Sequence, residues 1–359
     1  MNLFNNIYKG KRVFITGHNG FKGSWLTAWL KMLGAEIYGF SLANNEINNH
    51  WKSLNTTITS DFEGNILDSH IFNTKLKEAN PHIIFHLAAQ PLVRRSYVDP
   101  SNTWETNLMG TLNLLESSRY LDSLEAIVIV TSDKCYLNED GGKVFNELDS
   151  LGGHDPYSAS KAAVEILTAS YRKSFFNLEG APLIASARAG NVIGGGDWAV
   201  DRIVPDLVRS LQNHEVLEIR YPKATRPWQH VLDCISGYLA LGRKLLDKER
   251  KFADAWNFGP NIGDERNVET LLLSLKDRLK NLEWTLGTEQ ELHEASFLQL
   301  DCSKAKKELL WEQVWSYEES IKYCAEWYEL FLEDHSILTT DQIKKYIEDA
   351  DKKNLNWIN

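Results

Sequence analysis

One short segment limits the folds open to this chain more than any other: Arg12-Val13-Phe14-Ile15-Thr16-Gly17-His18-Asn19-Gly20-Phe21-Lys22-Gly23. An apolar run of strand character leads into glycines spaced three apart. A helical pattern then follows, with Trp25, Leu26, Trp29, Leu30 and Leu33 on one face. Gly17 suits the backbone angles of a tight turn. Gly20 lets main chain approach a ligand, and Gly23 lets the helix pack closely on the strand. The helix start would offer unpaired N–H groups to a pyrophosphate. Strand, glycine turn and helix in that order predict a dinucleotide-binding βαβ unit.

The rest of the first half extends the same alternation. Strands are expected at Arg12–Thr16, Ile37–Phe40, Ile58–Phe62, Ile83–Leu87, Ile127–Val130 and Leu183–Ala187. Helical faces fall between them, including Leu108, Leu112 and Leu115 after Asn107, and Ala163, Ile166, Leu167 and Tyr171. Right-handed crossovers between such strands give an α/β fold with a Rossmann-type doubly wound parallel sheet. After about Arg188 the texture changes, with glycines clustered from Gly190 to Gly196. The expected division is a dinucleotide-binding domain over 1–188 with about 230–260, and a smaller mixed lobe over about 189–229 with 261–335. A helical tail follows over 336–359. Thr339-Thr340-Asp341-Gln342 reads as a capping box that opens a final surface helix.

A chain of 359 residues with 43% hydrophobic content can bury a large core. Its net charge of −10 argues against general binding to nucleic acid or to a membrane surface, which needs a cationic face. Cys135, Cys234, Cys302 and Cys324 are scattered without metal-ligand spacing, so no metal site is expected. No apolar run spans a bilayer and no signal-peptide layout is seen, so the expected location is the cytoplasm.

The spacing G-x-x-G-x-x-G resembles that of the extended short-chain dehydrogenase/reductase family, in its NAD-dependent epimerase/dehydratase branch. Further segments carry the resemblance: His86-Leu87-Ala88-Ala89-Gln90, Gln90-Pro91-Leu92-Val93-Arg94, Gly64-Asn65-Ile66-Leu67-Asp68, Tyr157-Ser158-Ala159-Ser160-Lys161, Arg188 to Trp198, and Arg226 to Val231. It implies NAD as cofactor, held by Gly17, Asn19, Gly20, Phe21, Lys22, Gly23, Phe40, Ser41, Asn65, Ile66, Leu87, Ala88, Ala89, Tyr157 and Lys161. One departure stands out. Dinucleotide folds carry an acid near the end of the second strand for the adenosine ribose, whereas Tyr38-Gly39-Phe40-Ser41-Leu42-Ala43 has none. No arginine stands there for a 2′-phosphate either, so NAD is expected over NADP. His18 is expected to face the pyrophosphate.

Tyr157 and Lys161 stand four apart at a helix start and so share a face. The ammonium and a cationic nicotinamide ring would favour the phenolate as a general base. Val130-Thr131-Ser132-Asp133-Lys134 is the most informative segment. By resemblance, Ser132 holds the C4 oxygen of a hexose beside Tyr157. Epimerases of the family need only that hydroxyl, Tyr and Lys. Nucleotide-sugar 4,6-dehydratases add an acid/base pair, and Asp133-Lys134 has the form associated with the CDP-glucose branch.

The resemblance therefore implies a hydro-lyase with internally recycled NAD, converting CDP-D-glucose to its 4-keto-6-deoxy product. Asp133 is assigned as acid at the C6 oxygen and Lys134 as the C5 base, which requires a lowered lysine pKa. Gln90, Arg94, Asn191, Arg202, Arg226 and His230 are the candidates for the substrate. Arg202 and Arg226 suit a diphosphate or are plain surface cations. Trp198 and Trp228 border the nucleotide or belong to the core. A homodimer, or a dimer of dimers, pairing helices Thr103–Arg119 and Tyr157–Lys173 is implied by resemblance, as is a role in deoxysugar supply for surface polysaccharide (lipopolysaccharide O-antigen). Two alternatives stay open: a 4-epimerase or a 4,6-dehydratase acting on a UDP-, dTDP- or GDP-sugar, and a non-enzymatic dinucleotide sensor on the same scaffold.

Overall fold

The computed structural model describes residues 2–44, 46–139, 141–287 and 297–358. Seven strands form one sheet: β1 Arg12–Thr16, β2 Glu36–Ser41, β3 Ser60–Glu63, β4 Ile83–His86, β5 Ala126–Val130, β6 Leu183–Ala189 and β7 Ala255–Phe258. Their order is β7-β6-β5-β4-β1-β2-β3, and every pairing is parallel. The six expected strands are all present. The third is displaced by two residues at its start, and the seventh comes from the return of the chain after residue 230. Strand order reverses between β1 and β4, so a crevice opens at their carboxyl ends.

Alternation along the strands sends side chains to both faces. Val13, Ile15, Phe85 and Val128 join one core, whereas Phe14, Phe40, Ile84 and Ile127 join another. The first core is continuous with the C-terminal half through Leu232, Tyr238, Trp311, Trp315 and Trp327. Here the second-half elements are short pairings: Val192–Ile193 with Gln229–His230, Thr225–Arg226 with Arg266–Asn267, and Leu217–Ile219 with Trp284–Leu286. Helices Ile203–Asn213, Val231–Leu246 and Tyr317–Asp334 pack around them.

Two expectations about helices are corrected. The helix expected from Thr103 to Arg119 begins at Pro100 and contains a π-helical turn at Glu105–Met109. Helix Thr339–Lys352 exists, but no capping box opens it and it is no surface element. Thr339 Oγ1 instead lies 2.7 Å from His50 Nε2 and accepts from Trp327 Nε1 at 3.0 Å. The helix buries Ile343, Tyr346, Ile347 and Ala350. Tyr346 and Trp357 pack edge-on against Trp29, and Trp357 stacks on Phe4 at 5.0 Å.

Candidate active site

A cleft of about 900 Å³ opens along the carboxyl ends of the central strands. One wall is the glycine turn. Gly17 has φ +73°, and a Cβ there would lie 2.9 Å from Ala88 N. A Cβ on Gly23 would lie 2.0 Å from Gly17 O, so only glycine lets the Phe21–Met32 helix start this close to β1. No side chain caps that helix and no acid stands in its first turn, which leaves its N–H groups and positive dipole end for an anion. This cradle fits a dinucleotide pyrophosphate. Asn19 braces it by donating to Leu42 O at 2.8 Å. Phe21, Lys22, Phe40, Ser41, Asn65, Ile66, Leu87, Ala88 and Ala89 all line the cleft. The Asn65 side-chain oxygen accepts from Leu67 N–H at 3.0 Å, which leaves one lone pair for an adenine.

His18 does not face the cleft, contrary to expectation. Its ring is buried beneath the turn, with Nδ1 2.7 Å from Ser41 Oγ and Nε2 2.8 Å from an Asp61 carboxylate oxygen on β3.

Opposite the cradle, β5 ends at Val130, Thr131-Ser132 follow, and a single 3₁₀ turn, Asp133–Cys135, comes next. Ser132 caps the turn by accepting from Lys134 N–H at 3.2 Å and donates to Asp133 Oδ1 at 3.0 Å. Helix Pro156–Ser174 starts cleanly because Pro156 sits in its first turn and Asp155 accepts from Ser158 N–H at 2.9 Å. That start turns Tyr157 and Lys161 into the same cleft as Ser132, Asp133 and Lys134. Tyr157 is hydrogen-bonded to Ser132.

Burial pushes the Tyr157 phenol up to about 12, against the Ser132 hydrogen bond and Arg202, and Asp133 adds to the rise. Lys161 is lowered to about 8 by burial and by the Lys22 ammonium, while Glu165 opposes the shift. The expected activation of the phenol by Lys161 is therefore not what dominates here. Burial wins and Tyr157 holds its proton. Asp133 is buried and its carboxyl is raised by desolvation, with Lys134, Ser132, Arg226 and Lys22 pulling it back. Among the described residues its second oxygen has no hydrogen-bond partner. That oxygen lies 2.8 Å from where a Cβ on Gly190 would stand.

Two supporting groups escaped the sequence reading. Asn107, buried in the π turn, donates to Ser160 Oγ at 2.8 Å and to Gln90 O at 3.2 Å, and accepts from Gln90 N–H at 2.8 Å. It ties helix Pro156–Ser174 to the loop after β4, and π turns recur beside functional sites. The second is Glu165, which accepts from Thr131, Ser186 and Arg188 at 2.5, 2.7 and 2.8 Å beneath the end of β5. A charge inside an otherwise apolar helical face was the available signal.

The far half of the cleft holds the substrate candidates. Arg94, Asn191, Arg202 and Arg226 line it, joined by Arg220, which sequence reasoning missed. Arg202 reaches Asp197 at 2.9 Å, and Arg94 and Arg220 approach Asp201 at 3.9 and 3.3 Å. Trp198 and Trp228 border the same region. Gln90 lines the cleft, but its amide is spent on Leu92 and Thr103. His230 is a correction. It is fully buried between Trp25 and Trp315, caps helix Val231–Leu246, and lies outside the cleft, so it cannot touch a substrate there. Among the described residues, no cluster of three His, Cys, Asp or Glu side chains is arranged to hold a metal ion.

Comparison with known proteins adds the following. The profile of the family described as GDP-mannose 4,6 dehydratase matches residues 14–324. The chain is 42% identical over 356 residues to CDP-glucose 4,6-dehydratase of Salmonella typhimurium, covering 95% of this chain and 98% of that one. Among solved structures, the epimerase Mth375 of Methanothermobacter thermautotrophicus superposes with a TM-score of 0.80 at 24% identity, covering 93% of this chain and 97% of the other. The dTDP-glucose 4,6-dehydratase of Bacillus anthracis, solved in complex with NAD, gives 0.72 at 22% identity, covering 90% and 98%.

Proposed function

Because the chain belongs to the GDP-mannose 4,6-dehydratase family, we propose that it is an NAD-dependent nucleotide-hexose 4,6-dehydratase acting on CDP-D-glucose. The observation that carries this reading is the convergence of Ser132, Asp133, Lys134, Tyr157 and Lys161 on one cleft, beside a cradle that fits a dinucleotide. The substrate base rests on the Salmonella typhimurium relative. An epimerase has no use for an acid at C6, whereas the unpartnered oxygen of Asp133 supplies one.

Held by the glycine turn and the start of helix Phe21–Met32, NAD would supply the hydride chemistry, taking up hydride from C4 and returning it to C6. Tyr157 takes the C4 hydroxyl proton, with Ser132 holding the same oxygen. Burial favours the protonated phenol, so a positively charged nicotinamide would be what brings the phenolate into range. The resulting C4 ketone acidifies the C5 hydrogen. Lys134 removes that proton, Asp133 donates one to the C6 oxygen, which leaves as water, and the Lys134 ammonium returns its proton to C5 as hydride reaches C6 of the resulting enone. Burial of Asp133 favours the protonated carboxyl that this step needs. The four arginines of the far half give a diphosphate its counter-charge, and Asn191 stands with them. In this reading residues 1–188 with about 230–260 hold NAD, and 189–229 with 261–335 hold the sugar nucleotide.

The reading extends to a homodimer in the reducing cytoplasm. Trp104, Met109 and Ile166 are exposed on helices Pro100–Ser118 and Pro156–Ser174, four cysteines are free and buried, and no described helix is long and apolar enough to cross a membrane. The decisive experiment incubates the pure protein with CDP-, dTDP-, UDP- and GDP-hexoses, with and without NAD. Formation of a 4-keto product from CDP-glucose without net NADH is expected. Turnover of another nucleotide alone would overturn the substrate, and a C4 epimer would overturn the reaction. A Lys134→Gln protein should oxidise C4 yet fail to wash deuterium into C5, and unchanged exchange would remove Lys134 from the role of base.

A further inference from the structure

Strand β2 ends in Phe40-Ser41, without the carboxylate that dinucleotide sites ordinarily place there for the ribose 2′-hydroxyl. The structure supplies an acid at one remove. Asp61, paired across from Gly39 in the β2–β3 register, lies 2.8 Å from His18 Nε2. The other ring nitrogen of His18 lies 2.7 Å from Ser41 Oγ, and Ser41 lines the cleft. The ring cannot wander. It sits over Gly39, where a Cβ would come within 2.5 Å of it, and meets the edge of Trp51 at 4.9 Å. Trp51 Nε1 donates to the second oxygen of Asp61 at 3.2 Å, so one carboxylate oxygen is hydrogen-bonded and the other lies in contact with the ring.

For a neutral His18 ring, hydrogen-bond direction follows from this order. A carboxylate only accepts, so the proton of a neutral imidazole belongs on Nε2, facing Asp61. The Nδ1 atom is then an acceptor, and the only proton available to that contact is the Ser41 hydroxyl's. The His18 contact and hydrogen bond hold the Asp61 carboxyl below its ordinary range, which keeps it ionised. With its own proton committed to His18, Ser41 Oγ turns lone pairs to the cleft.

We propose that Ser41 reads the adenosine ribose of the cofactor, accepting a hydrogen bond from its 2′-hydroxyl, and that Asp61, acting through His18, is the positioning residue that makes Ser41 an acceptor. This rests on the NAD-dependent reading above. Serine takes over the hydrogen bond of the missing acid without placing a formal charge against the ribose.

The test measures equilibrium binding at pH 8, with no turnover, of NAD and of its 2′-deoxyadenosine analogue to the intact protein. The wild type should prefer NAD by about 3- to 10-fold, the range of one net hydrogen bond. Ser41→Ala should abolish the preference, and Ser41→Thr, which keeps a hydroxyl, should restore it. In Asp61→Asn the amide can donate to Nε2 and turn the relay round, so the preference should fall while Ser41 stays in place. The double variant Ser41→Ala/Asp61→Asn should bind NAD no worse than Ser41→Ala alone. Equal binding of the two dinucleotides by the wild type overturns the assignment of Ser41. A preference that survives in Asp61→Asn, or additive losses in the double variant, overturns the relay. Failure of the wild type to bind NAD at all sinks the cofactor reading instead, so the two failures are distinguishable.

Discussion

Lys161 carries a cost that its proposed role explains. An ammonium buried beside Lys22 is lowered to about 8 from 10.5, so the folded state binds its proton less readily than the unfolded state does. Stability is therefore penalised in full below about pH 8 and recovers as pH rises towards 10.5. Lys161→Met should abolish turnover while raising stability at pH 7 by up to roughly 3 kcal/mol, at about 1.4 kcal/mol per pKa unit. Urea denaturation at pH 7 and 10 checks both signs, since the gain should shrink at the higher pH. Gly190 is a second sensitive position. In Gly190→Ala the new methyl would meet Asp133 Oδ2 at 2.8 Å and Pro227 Cγ at 3.2 Å. The carboxyl must shift, so kcat is expected to drop roughly 10- to 100-fold with NAD affinity unchanged, as titration calorimetry would show. Gly17, Tyr157 and Lys161 were legible because backbone angle and local spacing carry their roles. His18 was not, because its partner Asp61 comes from another strand and no local pattern announces it.

Strands were the most legible elements, since buried parallel strands read as continuous β-branched runs. The elements misread are those whose form is set from outside. The π turn at Glu105–Met109 goes with Asn107 bonding across to Ser160 and the loop after β4. The cap expected at Thr339 is absent because its hydroxyl is engaged by His50 and Trp327. Beneath β5 the helix Pro156–Ser174 is locked to the sheet by the buried Glu165–Arg188 pair. Glu165→Gln leaves that guanidinium buried without its charge partner and should cost about 3–5 kcal/mol, read as a fall in the urea midpoint. On the outer face of the same helix, Ile166→Glu should convert the proposed dimer to monomer by light scattering. A variant that stays dimeric would exclude this helix from the interface.

Across the whole molecule, the last helix fastens the first helix to the second half. Asp233 is the buried polar joint of that attachment. Its Oδ1 accepts from Val314 N–H and Tyr346 Oη, both at 2.7 Å, and its Oδ2 has no partner. Burial raises its carboxyl to about 7 from 3.8. The native state therefore holds this proton more tightly than the unfolded chain, and the stability so gained is full below pH 4 and lost as pH climbs through 7. Asp233→Asn keeps an acceptor without the charge, so it should raise the Tm at pH 8 and change it little at pH 4.5. The Phe4 N–H donates to Trp357 O at 2.7 Å, so the aromatic cover of the glycine-turn helix is contributed by residues from opposite ends of the described chain. During synthesis the ribosome emits Trp357 long after the Phe21–Met32 helix that it helps to cover. A nascent polypeptide halted before residue 339 lacks the Tyr346 and Trp357 rings that pack on Trp29 and Phe4, and it is expected to be held by chaperones before it binds a cofactor.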